Sequence, residues 1–269
     1  MNNALLDGAL SKEPGRIFVG CAGWSLGREH GPAFPGDGTH LQRYARHFNT
    51  AEINSSFYRP HRPQTYARWA ESVPADFRFS VKVPKLISHE HRLQHCAPAL
   101  DEFLAQCGEL GERLGCLLLQ LPPSLAFEPG VAEVFFTGLR ERFAGQVVIE
   151  PRHETWVQAE SLLTHWRITQ ATVDPSRLSN DSQPAGWPGL RYWRLHGAPR
   201  LYYSAYEEDY LARLAAALKA EAQGGATSWC IFDNTASGAA TGNALRLIEL
   251  LGPQSWPSPE TPVSEGLEP

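Results

Sequence analysis

The chain has 269 residues, 42% hydrophobic and 20% charged, the make-up of an ordinary globular protein. A formal net charge of -5 excludes the general basic surface of a nucleic-acid binder. No apolar run reaches the ~18 residues of a membrane-spanning helix, and the opening MNNALLDGALSKEPG lacks the basic-then-apolar order of a signal peptide. No membrane partner and a cytoplasmic location are therefore expected.

Residues 1–15 and the Pro- and Ser-rich tail 253–269 read as disordered, which leaves 16–252 as one domain. In chain order the first strand is IFVGCAG (17–23), followed by a helix at LQRYARHF (41–48). TAEIN (50–54) is the second strand, and TYARWAE (65–71) reads as an amphipathic helix. FRFSVKV (77–83) precedes the long helical stretch APALDEFLAQCGELGERLG (97–115). CLLLQL (116–121), then a helix at VAEVFFTGLRERF (131–143), then VVIEP (147–151) continue the alternation. WVQAESLLTHW (156–166) is helical and QATVD (170–174) is the sixth strand. The seventh and eighth are LRYWRLHG (190–197) and SWCIFDN (228–234), each followed by a helix, YEEDYLARLAAALKAEAQ (206–223) and NALRLIELL (243–251).

Eight strands alternating with helices, spaced by about 30 residues, predict a parallel sheet closed as a (β/α)8 TIM barrel. One unit departs from the pattern. PSRLSNDSQPAGWPG (175–189) puts Pro, Gly, Ser and Asn where the sixth helix should stand, and reads as a loop. An open doubly wound sheet is the alternative, but no Gly-rich dinucleotide fingerprint follows the first strand.

The five cysteines, at 21, 96, 107, 116 and 230, form no CxxC pair, so neither a zinc site nor a disulfide framework is expected. Cys21, Cys116 and Cys230 lie in apolar strand runs, where a thiol packs as a small hydrophobe. Arg outnumbers Lys 20 to 4, a bias that fits a GC-rich bacterial genome. Two of the four lysines, Lys82 and Lys85, nevertheless sit together in KVPK.

TIM-barrel active sites lie at the C-terminal ends of the strands, and here almost every such end is polar. Glu52 and Asn54 end the second strand, Lys82 the third and Gln120 the fourth. Glu150 and Arg152 follow on the fifth, Asp174 on the sixth, Arg194 and His196 on the seventh, and Asp233 with Asn234 on the eighth. Strand side chains alternate faces, so Glu52 with Asn54, and Arg194 with His196, share a side and can enter one barrel mouth. A structural ring of salt bridges is the competing account. Within the ring, Glu150 and Arg152 are expected to pair with Lys82, Arg194 and Glu52 rather than with each other. Trp24 and Trp156 are expected to be packing residues.

At these residues the chain resembles the YecE-like family, domain of unknown function 72. The resemblance rests on VGCAGW (19–24), FPG (34–36), EINSSFYRPHRPQTYARWAESVPADFRFSVKVPKLISHEHRL (52–93) and LGCLLLQLPPS (114–124). It continues through IEPRHETW (149–156), YWRLHG (192–197), YSAYEEDYL (203–211) and FDNT (232–235). It implies a TIM-barrel fold and supplies no activity. SLGREHGPA after Trp24 lacks the aromatic residues expected there, which weakens a ligand role for the first loop. Phe232-Asp233-Asn234 stands where the resemblance implies Phe-Asn-Asn, so it carries Asn234 more firmly than Asp233.

The chemistry expected first is acid–base catalysis on a small anionic molecule bearing phosphate or carboxylate. Lys82, Arg152, Arg194 and His89 could hold the anion, while Asn54, Gln120 and Asn234 orient polar groups. Glu52 or Glu150 would act as base and His196 as proton donor, with no cofactor required. A divalent-metal hydrolase, phosphodiesterase or isomerase is the second reading, with Glu52, Glu150, Asp174, His196 and Asp233 as ligands. Cations at the same mouth count against it. The third is a non-enzymatic metabolite-binding or regulatory protein, in which Tyr58, Tyr202, Tyr203 and Tyr206 serve a ligand and GAPRLYYSAY forms a lid. Nucleic acid is a lesser possibility through Arg43, Arg46, Arg59, Arg62, Arg68 and Arg78.

Overall fold

The computed structural model describes residues 14–252; the tail read as disordered, and all but the last two residues of segment 1–15, lie outside them. Among the described residues ten strands follow in chain order. They are β1 (Ile17–Ala22), β2 (Thr50–Ile53), β3 (Arg78–Lys82), β4 (Leu114–Gln120), β5 (Gln146–Glu150), β6 (Ile168–Gln170), β7 (Thr172–Asp174), β8 (Ala185–Gly186), β9 (Leu190–Leu195) and β10 (Thr227–Phe232). Seven α-helices among the described residues accompany them. They are α1 (His40–Tyr44), α2 (Pro63–Glu71), α3 (Ala97–Cys107), α4 (Pro129–Arg142), α5 (Glu160–His165), α6 (Glu208–Gln223) and α7 (Ala239–Leu251).

All strands belong to one sheet of order β7-β9-β10-β1-β2-β3-β4-β5-β6-β8, parallel throughout except for the antiparallel β6–β8 pair. β6 pairs with β5 and β7 pairs with β9, although Ala171 alone separates β6 from β7 in the chain. One short segment therefore bonds to both flanks, and the sheet is nearly closed on itself. The single sixth strand expected at 170–174 is split for this reason. Its first half serves one neighbour and its second half the other.

No helix forms over 175–189, as the Pro, Gly and Ser content of that segment implies. The Asp181 side chain organises the loop. Its carboxylate accepts from Ser176 Oγ at 2.6 Å and from the backbone N–H groups of Arg177 and Leu178 at 2.9 and 3.0 Å. Its carbonyl accepts from Val173 N–H at 2.7 Å, which ties the loop to β7. Asp181→Ala would remove the carboxylate that accepts from Ser176, Arg177 and the buried Leu178 N–H, and should lower stability by about 1–2 kcal/mol, read from the urea midpoint. An unchanged midpoint would contradict this role for Asp181.

Alternation along the strands makes two apolar layers. Phe18, Cys116, Leu118, Val148, Val173, Tyr192, Trp229 and Ile231 fill the space inside the sheet. Val19, Cys21, Phe79, Leu119 and Ile149 face outward against Leu41 of α1, Leu100 of α3, Phe136 of α4, Leu214 of α6 and Leu247 of α7. Trp229 plugs the lower interior, stacked on Phe18 at 4.6 Å and on Tyr192 at 6.1 Å. Gly115 lies where the β3–β4 register shifts, and a Cβ there would overlap the Trp229 ring. All five cysteines are buried free thiols.

Candidate functional site

Above this apolar filling, the inward positions turn polar within one residue pair. The parity that buries Tyr192 inside the sheet also points Arg194 and His196 inward, and Val148 is followed by Glu150, Leu118 by Gln120, Ile231 by Asp233. Glu52, Lys82, Gln120, Glu150, Arg194, His196 and Asp233 are all buried in one cluster at the C-terminal end of the sheet.

Arg194 is its centre. The guanidinium grips Glu52 with two bonds, Nη2 to Oε1 at 2.8 Å and Nε to Oε2 at 3.0 Å. Nη1 donates to Glu150 Oε2 at 3.0 Å, and Nη2 lies 2.9 Å from Asp233 Oδ2. Burial alone would lower the Arg194 pKa; Asp233, Glu52 and Glu150 reverse that and hold it well above the ordinary arginine value. Tyr192 OH donates to Glu52 Oε2 at 3.1 Å and contacts Ser80 Oγ at 2.8 Å, which fixes Glu52 from below.

Glu150 also accepts from Gln120 Nε2 at 2.7 Å and from Arg152 Nε and Nη2 at 3.1 and 3.0 Å. Burial would raise its pKa, but Arg194, His196 and Arg152 hold the carboxyl well below the usual range. His196 lies between two carboxylates, Nδ1 at 3.0 Å from Asp233 and Nε2 at 3.4 Å from Glu150. Although burial opposes it, Glu150 and Asp233 raise the imidazole pKa. Asp233 is lowered against burial by Arg194, His196 and Lys82.

Lys82 behaves differently. Its ammonium sits over the Phe57 ring at 4.3 Å and makes no ion pair within 4.0 Å among the described residues. Burial, then Arg194, pushes its pKa down to about 8 despite Glu52, Glu150 and Asp233. His89 is lowered by burial and then by the neighbouring Lys82, Arg152 and Lys85. Lys82 and Arg152 thus form a positive corner beside the neutralised cluster, with the His89 ring next to them. Asn54, which opens the 3-10 turn Ser55–Phe57, has a buried Oδ1 without a protein partner.

Other expected residues fall elsewhere. Asp174 follows Val173, which faces inside, so its side chain points out and accepts from Tyr206 OH at 2.9 Å. Asn234 likewise points out, donating to Ser204 O and Asn243 Oδ1 at 2.9 and 3.0 Å. At the end of β10 it is Asp233 that enters the cluster, not Asn234. Glu150 and Arg152 pair directly, contrary to expectation, because the chain turns at Pro151 and brings the guanidinium back over Glu150. Among the described residues no three His, Cys, Asp or Glu side chains assemble as a metal-ligand set.

Tyr192, Ser80 and Phe57 carry no signal in the sequence beyond strand parity or proximity to it. Tyr202 packs against the cluster. Its N–H donates to His196 O at 2.6 Å, its ring meets the His196 ring edge-on at 5.5 Å, and its hydroxyl lies beside Arg152. Gly197 permits this return, since its φ of +87° turns the chain and a Cβ would press on Ser204 O. Tyr206 is buried, Tyr203 is capped by Arg200 at 3.9 Å, and Tyr58 is 76% exposed. Trp24 packs on Trp69 and Phe79, and Trp156 is buried with Nε1 bonded to Leu125 O, so both are packing residues. Arg43, Arg46 and Arg78 donate to backbone carbonyls.

Fold and cluster together define a mixed α/β protein whose nearly closed parallel sheet holds a buried polar cluster at its C-terminal end. Residues 18–265 match the family described as protein of unknown function DUF72, and the chain belongs to that family. It is 40% identical over 107 residues to the UPF0759 protein YecE of Escherichia coli, a stretch covering 39% of this chain and 38% of that protein. Its fold is similar to a DUF72 family protein from Enterococcus faecalis, with a TM-score of 0.74 at 23% identity over 87% of this chain and 95% of that one. A DUF72 family protein from Thermotoga maritima gives 0.69 at 23% identity, over 88% and 99%. No helix among the described residues is long and apolar enough to cross a membrane.

Proposed function

We propose that residues 16–252 form one (β/α)8 TIM-barrel domain and that it is an enzyme. The reaction is acid–base chemistry on a small molecule bearing phosphate or carboxylate, at the C-terminal mouth. The single observation that carries the reading is Lys82, a buried cation without a carboxylate partner beside a cluster whose three carboxylates are already matched. A lysine that only stabilised the fold would be paired when buried. The positive corner of Lys82 and Arg152, with His89 beside it, is suited to an anion, and Asn54 Oδ1 offers an acceptor for a substrate hydroxyl or ammonium.

The roles follow from the electrostatics. Glu150 serves as a fixed counter-charge to Arg194 and Arg152, since a carboxylate held well below the usual range is a weak base, and Glu52 orients Arg194 through its two hydrogen bonds. His196, raised by its carboxylates, is the proton donor, and Lys82 is the group whose protonation changes near working pH. Arg152 holds the anion with Lys82, and Tyr202 covers them.

Thermal unfolding in phosphate and in malonate, each against chloride at equal ionic strength, tests this reading. An anion at about a hundred times its Kd should stabilise the wild type by ~2.7 kcal/mol, and Arg152→Gln should lose most of that increment. Equal increments in both proteins, or none in either, would refute it.

A further inference from the structure

We infer that Lys82 forms an imine with an aldehyde or ketone that also carries the bound phosphate or carboxylate. This rests on the anion-site reading above and deepens it. Lys82 ends β3 on the inward face, two residues beyond Ser80, so its side chain rises from the packed interior into the cluster. The Phe57 ring lies against its ammonium at 4.3 Å, and the Ser56 hydroxyl fixes the local backbone by donating to Lys82 O at 2.6 Å. The charged groups acting on it are Arg194 of β9, Glu52 of β2, Glu150 of β5 and Asp233 after β10, with His89 alongside. Burial and a nearby guanidinium are the two means by which a lysine is made a nucleophile.

Residue choice points the same way. The chain uses Arg 20 times and Lys 4 times. Arg would supply a permanent charge at position 82, but a guanidinium is never free to attack carbon. Lys at this place is the residue type that can lose its proton. The proton-poor amine is also sustained by the depressed pKa of about 8.

The step balances without a co-reactant. The Nζ lone pair adds to the carbonyl carbon while the C=O π pair moves to oxygen, which takes the proton Lys82 releases. The carbinolamine then expels its oxygen as water, taking a second proton from nitrogen, and the C=N bond forms. Ammonium and carbonyl thereby give protonated imine and water, and the positive charge remains at Lys82 facing the same carboxylates. Such an imine acts as an electron sink for breaking a neighbouring C–H or C–C bond.

The test is borohydride trapping in the full-length protein. Dihydroxyacetone phosphate and pyruvate, in separate arms, are incubated with the protein; sodium borohydride then reduces C=N to a stable secondary amine, and peptides are mapped by mass. One arm should label Lys82 at least about tenfold more than Lys85 or Lys219, because burial and Arg194 leave more of the Lys82 amine unprotonated near neutrality. The arm that labels identifies the anion, and labelling should rise as pH passes through about 8. Equal labelling of the lysines, or none at Lys82 in either arm, overturns the imine. In that case stabilisation by phosphate or malonate that still depends on Arg152 leaves the anion-site reading standing, and its absence removes both.

Discussion

Arg194→Met is expected to destabilise the protein by about 3–5 kcal/mol, which is a large part of the ~5–15 kcal/mol that holds a domain folded. The arginine is fully buried and its three nitrogens reach three carboxylates, Glu52, Glu150 and Asp233. Glu150 would retain Arg152 and His196, and Asp233 would retain His196. Glu52 would keep only the Tyr192 hydroxyl, leaving a buried carboxylate without a cation. That uncompensated charge, more than the lost bonds, sets the size of the effect. The pH dependence has a definite sign. Carboxyls released from Arg194 take up protons more readily, so the deficit relative to wild type should shrink as pH falls from 8 towards 5. Adding Glu52→Gln to Arg194→Met should recover part of the loss, whereas Arg194→Lys should not, since one ammonium cannot replace a three-way fork. Urea unfolding decides this. A single variant within about 1 kcal/mol of wild type would mean the cluster is not held by Arg194.

Most of the polar cluster was legible because a strand has a period of two residues. Once Tyr192 is placed inside, Arg194 and His196 must follow it, and the same parity brings in Gln120, Glu150 and Asp233. Parity also explains Asp174 and Asn234. Each lies one position beyond an inward residue, Val173 and Asp233, so each points to the helices rather than the mouth. Pairing within the ring was not legible, because a turn at Pro151 rather than strand geometry brings Arg152 onto Glu150. The strand count shows a related limit. A run such as QATVD predicts extended backbone, but it does not reveal that the run bonds to β5 with one half and to β9 with the other. Nor does sequence expose the special state of Lys82. Being unpaired is a property of where the carboxylates point, and the three available ones are drawn to arginine.

Lys82→Met should make the protein more stable, by roughly 2–3 kcal/mol near neutral pH, while removing the chemistry proposed for the site. Met has similar length and reach and can occupy the space against Phe57 without a charge to desolvate. The pull of Glu52, Glu150 and Asp233 on the ammonium does not reverse the prediction, because burial and Arg194 outweigh it and leave the pKa at about 8 instead of 10.5. The sign of the linkage follows. Between those two values the unfolded chain binds the lysine proton and the folded protein has released it, so wild-type stability rises with pH across that window. Below about 8 the full cost is present, and the gap between variant and wild type should be constant there. From 8 to 10.5 the gap should close. Chemical unfolding of both proteins at a series of pH values measures this directly. A variant less stable than wild type at pH 7, or a gap that widens with pH, would show that Lys82 is a structural cation matched to the carboxylates. A gap that closes as described would show a residue kept at a cost to the fold, as a reactive amine held in a buried site must be.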